Sequence, residues 1–147
     1  MKQTPNNMML QTFMKLIAVV VFTFSIYIFL AGHNAPGGGF VGGLMTASAI
    51  VVLYLVFDLK SITKVIPLNF IMLIGLGLLF GAVTGVISVI FGYPFLTQFF
   101  DYFSFPIFGE VELTTALVFD LGVYLVVVGA ALTIISTIAE DDDTWKS

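Results

Sequence analysis

Gly32–Gly43 reads Gly-His-Asn-Ala-Pro-Gly-Gly-Gly-Phe-Val-Gly-Gly, and the fold of this chain is decided by what that stretch separates. It carries the only histidine in the sequence, one of five prolines and six of fourteen glycines. Long apolar runs lie on both sides of it. A turn of this composition between two such runs reads as a tight bend at a membrane surface, and the other segments read as the scaffold around it.

The rest of the composition agrees. The chain has 147 residues, of which 59% are hydrophobic and 10% charged, and its mean hydropathy is +1.11. A soluble domain of this size needs more charge to keep its surface in water. The apolar runs approach the ~20 residues needed to cross a bilayer as a helix, and they do not alternate as barrel strands do. The expectation is therefore one all-α domain over residues 1–147, a polytopic membrane protein with four transmembrane helices. The net charge of −4 comes largely from Glu140–Asp143 and says little about partners. With five lysines and no arginine there is no basic patch for nucleic acid. With no cysteine there is no disulfide or thiolate chemistry.

Four helices are predicted, at about residues 9–32, 37–57, 68–92 and 113–139. Leu16–Ala31 alone rises only ~24 Å, so the first helix continues back past Lys15, whose stem carries its ammonium to the headgroups. A secretory signal is the weaker reading of that run, which is long for a signal core. Lys2, Lys15, Lys60, Lys64 and Lys146 all fall at the termini or in the second connection. The positive-inside rule then predicts both termini in the cytoplasm, external connections at 33–36 and 93–112, and an acidic cytoplasmic tail at 140–147.

Small residues recur at four-residue spacing: Gly39, Gly43 and Ala47 on the second helix, and Gly77, Gly81 and Gly85 on the third. Such stripes let helix backbones approach closely, either within the unit or against another chain. The third connection is dense in aromatic residues, from Tyr93 and Phe95 to Phe105 and Phe108. It reads as a segment lying at headgroup depth or as a docking surface for a neighbouring subunit.

Asp120 is the ionisable group set well inside a predicted span, and such a carboxyl is a functional candidate by default. At ~100° per residue it shares a face with Ala116, Tyr124, Val127 and Ala131. Thr115, Gly122, Gly129 and Ser136 make a small-residue stripe on the opposite face. The fourth helix is therefore expected to be engaged on two sides. Two readings of Asp120 stand: a buried hydrogen bond to Tyr124 or a backbone group that fixes a helix contact, or a direct part in moving protons or cations. His33 reads as a residue ordering the external turn or as a proton-exchanging group. Asn34 is placed to cap the second helix, with Pro36 in its first turn. The exposed N–H groups of Gly37, Gly38 and Gly39 can attract an anion or a carboxylate from a partner.

Gly37, Gly39 and Gly42 match a dinucleotide-binding spacing, with Asp58 about twenty residues on. No strand precedes them and the following helix crosses the membrane, so nucleotide binding is rejected. No nucleophile–base pair or metal cluster supports an enzyme, and no cofactor or metal is implied. A self-sufficient homo-oligomeric transporter or channel is the alternative to an accessory subunit. It needs polar groups through the full membrane depth, and the sequence offers one carboxyl near the outer side.

The stretch Gly32–Leu44 resembles the signature of the B subunit of the multisubunit Na+/H+ antiporters, called Mrp or Mnh. Leu117–Tyr124, Leu-Val-Phe-Asp-Leu-Gly-Val-Tyr, resembles the fourth-helix motif of the same family. The resemblance implies a subunit of a hetero-oligomeric complex in the bacterial cytoplasmic membrane. Its partners would be two complex-I-like antiporter subunits and the smaller membrane subunits. It implies exchange of internal Na+ or Li+ for external H+ and a role in pH homeostasis. Carried onto this chain, the motifs mark His33, Pro36, Gly37, Gly38, Gly39 and Phe40 in the turn, and Phe119, Asp120 and Gly122 in the helix.

Overall fold

The computed structural model describes residues 5–32, 37–57, 67, 69–90, 92, 100–105 and 109–144. Among them are four helices: α1 (Pro5–Ala31), α2 (Gly38–Val56), α3 (Phe70–Ile90) and α4 (Thr115–Thr144). Their apolar spans run for 25, 19, 21 and 24 residues, each long enough to cross a bilayer. The expected helical membrane architecture is present.

The helix ends differ from expectation for local reasons. Helix α1 starts at Pro5, a residue suited to the first helical position because its missing N–H has no partner there. Helix α2 starts at Gly38, with Gly37 as its N-cap in the left-handed region at φ 103° and no side-chain cap. Asn34 was expected to cap this helix and Pro36 to lie in its first turn. The cap position belongs instead to Gly37, because the chain enters with a positive φ that glycine adopts without strain. His33, Asn34 and Pro36 themselves lie outside the described residues. Helix α3 starts at Phe70 because Asn69 caps it, its Oδ1 accepting from the Met72 N–H at 3.3 Å. It ends at Ile90, two residues before Gly92 at φ 79°. Helix α4 continues through Thr144, into the segment expected to be a solvated tail.

Part of the third connection is an antiparallel hairpin, β1 (Phe100–Phe105) and β2 (Gly109–Thr114), in register from Phe100↔Thr114 to Phe105↔Gly109. Aromatic and β-branched residues favour strand, and a paired ladder satisfies backbone groups that an open loop at the membrane edge leaves bare. The hairpin moves the start of α4 from the expected Leu113 to Thr115.

The helices pack in the order α1–α2–α4–α3, and any other helix pair makes glancing contact at most. This is a row, in which α2 and α4 each have two neighbours and α1 and α3 have one. The interior is built from small residues: Ala18, Ala47, Ala49, Ser25, Thr46, Thr84 and Ser88 are buried. Val128 and the fully buried Leu132 of α4 are the larger members of this interior, while most other large apolar side chains point outward, as with Val19 (65% exposed) and Ile90 (75%). Lipid is as apolar as leucine, so burial of large side chains does not drive this association; close backbone packing does. Lys15 lies with its Nζ 5.0 Å from the centroid of the Phe57 ring, tying α1 to the end of α2.

Candidate functional site

The site is built where the N-terminus of α2 meets the first turns of α4. The first backbone bond of α2 runs from the Val41 N–H to the Gly37 carbonyl at 3.0 Å, so the N–H groups before Val41 have no partner within the helix. One of these, on Gly39, donates to the Asp120 carboxylate. Gly39 is the second residue after the N-cap, the position whose N–H a capping side chain ordinarily satisfies. Asp120 thus caps α2 from another helix, at the positive end of the α2 dipole. Counted from Thr115, Asp120 is ~7.5 Å along α4. Its Oδ2 is buried with no hydrogen-bond partner among the described residues.

This contact requires glycine. A Cβ on Gly39 would lie 2.6 Å from Asp120 Oδ1 and 2.8 Å from its Cγ, and closer still to the Asp120 carbonyl oxygen. Four residues on, a Cβ on Gly43 would lie 3.1 Å from the Tyr124 carbonyl oxygen and 3.0 Å from Val127 Cβ. Gly38 and Gly42 make a second stripe, turned by ~100° toward α1. A Cβ on Gly38 would come within 2.7 Å of Gly32 Cα, and one on Gly42 within 3.2 Å of the Ser25 carbonyl oxygen. The doublets Gly38-Gly39 and Gly42-Gly43 therefore form two adjacent ladders, one for each neighbour of α2. The ladder through Gly39 and Gly43 was legible in the sequence from its four-residue spacing, whereas the one through Gly38 and Gly42 was not among the expected stripes, although the doubled glycines signal it.

Below the Asp120 contact lies a set of buried hydroxyls. Tyr124 Oη and Thr46 Oγ1 are 2.5 Å apart, Thr46 Oγ1 and Ser25 Oγ are 2.5 Å apart, and Ser25 donates to the Gly42 carbonyl at 2.7 Å. The Tyr124 ring also meets Phe29, with centroids 5.1 Å apart. Many other hydroxyls in the helices bond to a carbonyl of their own helix, as Thr23 does to Val19 and Thr133 to Gly129. Nothing in the sequence periodicity distinguishes Ser25 and Thr46 from those.

On its other side α4 packs on α3. A Cβ on Gly122 would lie 2.7 Å from the Gly77 carbonyl oxygen, and one on Gly129 would lie 2.8 Å from the Phe70 carbonyl oxygen. The fourth helix is engaged on two sides as expected, Asp120 and Tyr124 toward α2, Gly122 and Gly129 toward α3. Of the two partners expected for Asp120, the backbone group is the one hydrogen-bonded to it. Tyr124 spends its hydroxyl on Thr46. Phe40 is 51% exposed and points away from both seams. Phe119 lines an apolar groove of about 460 Å³ between α3 and α4, with Gly77, Gly81 and Gly122. Among the described residues no cluster of His, Cys, Asp or Glu is arranged to hold a metal ion.

Residues 9–133 match the family described as a domain related to the MnhB subunit of the Na+/H+ antiporter. The chain is 56% identical over 141 residues to the B subunit of the Na(+)/H(+) antiporter from Bacillus subtilis, covering 96% of this chain and 99% of that protein. It is 56% identical over 137 residues to the corresponding B subunit from Alkalihalophilus pseudofirmus, covering 93% of this chain and 95% of that protein. Among solved structures it resembles a chain of the Mrp complex from Dietzia sp. DQ12-45-1b, with a TM-score of 0.71 and 33% identity. That likeness covers 89% of this chain and 14% of the much longer solved chain. By its match over residues 9–133 and its near-full-length identity to these B subunits, this chain belongs to the MnhB-subunit family of Na+/H+ antiporters.

Proposed function

We propose that this chain is an accessory subunit of a hetero-oligomeric Na+(Li+)/H+ antiporter in a bacterial membrane, and that Asp120 is its functional carboxylate. Near-full-length identity of 56% to two antiporter B subunits supports the assignment to such a complex. The observation that carries the role of Asp120 is its contact with the α2 N-terminus: one oxygen side bonded by Gly39 N–H, and Oδ2 buried without a partner among the described residues. A carboxyl oxygen buried in a membrane span without a partner is costly, and this one is left for a proton, a cation or a donor on a partner chain. The chain serves transport and does not catalyse bond chemistry. The proton gradient drives exchange of internal Na+ for external H+, and the main proton relays belong to the other subunits. The lysine distribution supports a topology with both termini in the cytoplasm and the Asp120 end of α4 outside. Gly37 and Gly38 serve this joint, Gly37 through the positive φ with which the chain enters α2 and Gly38 through its close approach to Gly32, and His33, Pro36 and Phe40 are the further candidates of the turn.

The test compares Asp120→Asn with Asp120→Leu in cells that also express the partner subunits, scoring assembled complex and Na+-driven proton movement in everted vesicles. Asparagine keeps the hydrogen-bonding shape but cannot change charge. The expected result is an assembled Asn complex whose exchange falls by about tenfold or more, since ~1.4 kcal/mol corresponds to a factor of ten. Unaltered exchange with Asn, together with lost assembly with Leu, reduces Asp120 to a structural residue.

A further inference from the structure

The hydroxyls of Ser25, Thr46 and Tyr124 join three helices, and their proton positions follow from valence alone. A carbonyl oxygen only accepts, so at 2.7 Å from the Gly42 carbonyl Ser25 must donate. Its proton is then committed, and it accepts from Thr46 at 2.5 Å. Thr46 in turn has spent its proton and accepts from Tyr124 at 2.5 Å. The order Tyr124→Thr46→Ser25→Gly42 carbonyl is the one arrangement that gives each hydroxyl a single donated proton. The chain ends on a main-chain carbonyl, which cannot pass a proton on. It is therefore a clasp between α4, α2 and α1 and not a relay. Ser25 is fully buried and Thr46 is 4% exposed, so no water stands ready to replace a missing partner.

The clasp and the Asp120 contact hold the same pair of helices at two heights. Tyr124 is one helical turn from Asp120 on α4, and Thr46 is two turns from Gly39 on α2. Between them the Gly43 backbone presses on the Tyr124 carbonyl. One point of contact leaves a helix pair free to slide or rotate, whereas two fix both motions. The Phe29 ring against Tyr124 restricts the phenol from the α1 side. Gly42, whose carbonyl ends the chain, also lies in the glycine ladder that seats α2 on α1.

We propose that Ser25, Thr46 and Tyr124 are positioning residues for Asp120: their hydroxyl chain fixes the register and rotation of α2 against α4, so that the Gly39 N–H meets the carboxylate. This rests on the role given to Asp120 above. The experiment uses the whole complex, with Thr46→Val, Thr46→Ser and Asp120→Asn made in parallel. Maximal exchange per assembled complex and half-saturating Na+ are measured in everted vesicles. Valine matches threonine in shape but breaks the chain in the middle, leaving the Tyr124 hydroxyl without its acceptor. Thr46→Val is expected to lower maximal exchange per complex by about tenfold with half-saturating Na+ unchanged. Thr46→Ser, which restores the hydroxyl, is expected to stay within about twofold of the parent. A Thr46→Val complex that exchanges at the parent rate overturns the proposal, and so does a loss confined to the amount of complex. Failure of serine to rescue overturns it as well, because bulk and not the hydroxyl then matters. If instead Asp120→Asn exchanges at full rate, the role of Asp120 itself falls, and the positioning role with it.

Discussion

Gly39→Ala isolates the joint between α2 and α4 with a single carbon atom. The added Cβ would sit 2.6 Å from Asp120 Oδ1 and 2.8 Å from its Cγ, with the Asp120 carbonyl nearer still. Backbone atoms on both sides leave no rotamer by which to escape. Moving Oδ1 out to the 3.4 Å where ordinary contact begins takes about 0.8 Å, enough to stretch a ~2.9 Å N–H···O bond past its useful range. Overpacking of this kind costs ~1–3 kcal/mol, and a hydrogen bond to a charged group contributes ~1.5–3 kcal/mol. Alanine recovers up to ~1 kcal/mol of helix propensity, so the net loss is on the order of 1.5–5 kcal/mol. Gly75→Ala is the control, because a Cβ there meets nothing within 4 Å and only the propensity gain remains. Both variants would be co-expressed with the partner subunits. Assembled complex is then followed against temperature in mild detergent, and exchange is measured in vesicles. Gly39→Ala is expected to lower the assembly midpoint and the exchange rate, and Gly75→Ala to leave both intact. Equal behaviour of the two refutes the claim that close approach at Gly39 holds the carboxylate in place.

Two further outcomes follow from the same geometry. Gly77→Val places its first side-chain carbon 2.5 Å from the Gly122 carbonyl oxygen, so the α3–α4 contact is expected to loosen at a cost of about 1–3 kcal/mol. Protease sensitivity of the α3–α4 connection in the assembled complex reports this, and an unchanged digestion pattern contradicts it. For topology, the absence of native cysteine allows single cysteines at Asn34 and Lys64 to be labelled with an impermeant maleimide in intact cells. Asn34→Cys is expected to react and Lys64→Cys to stay protected; the opposite pattern inverts the orientation.

Span number and span length belong to the sequence by itself. Whether a run of residues can cross the hydrocarbon core depends on its own length and polarity, with no reference to the other runs. The carboxyl of Asp120 stood out for the same reason, as a charge where lipid tolerates few. The two engaged faces of α4 were also legible, because the small residues Gly122 and Gly129 and the polar Asp120 and Tyr124 fall on opposite sides of one helix. The hairpin was not, since its aromatic residues serve an interfacial loop as well as a strand.

Partner choice belonged to the tertiary structure. The row α1–α2–α4–α3, the bond from Gly39 to Asp120, and the aim of Ser25 and Thr46 across the seam are absent from any pattern along the chain. In water, a buried helix face differs from an exposed one by hydrophobicity, and periodicity reveals it. In lipid both faces are apolar, and contact is decided by how closely two backbones fit. That fit is a property of two surfaces together, so the Gly32–Gly43 stretch could announce a close approach without saying which helix, or which carboxylate, would come to meet it.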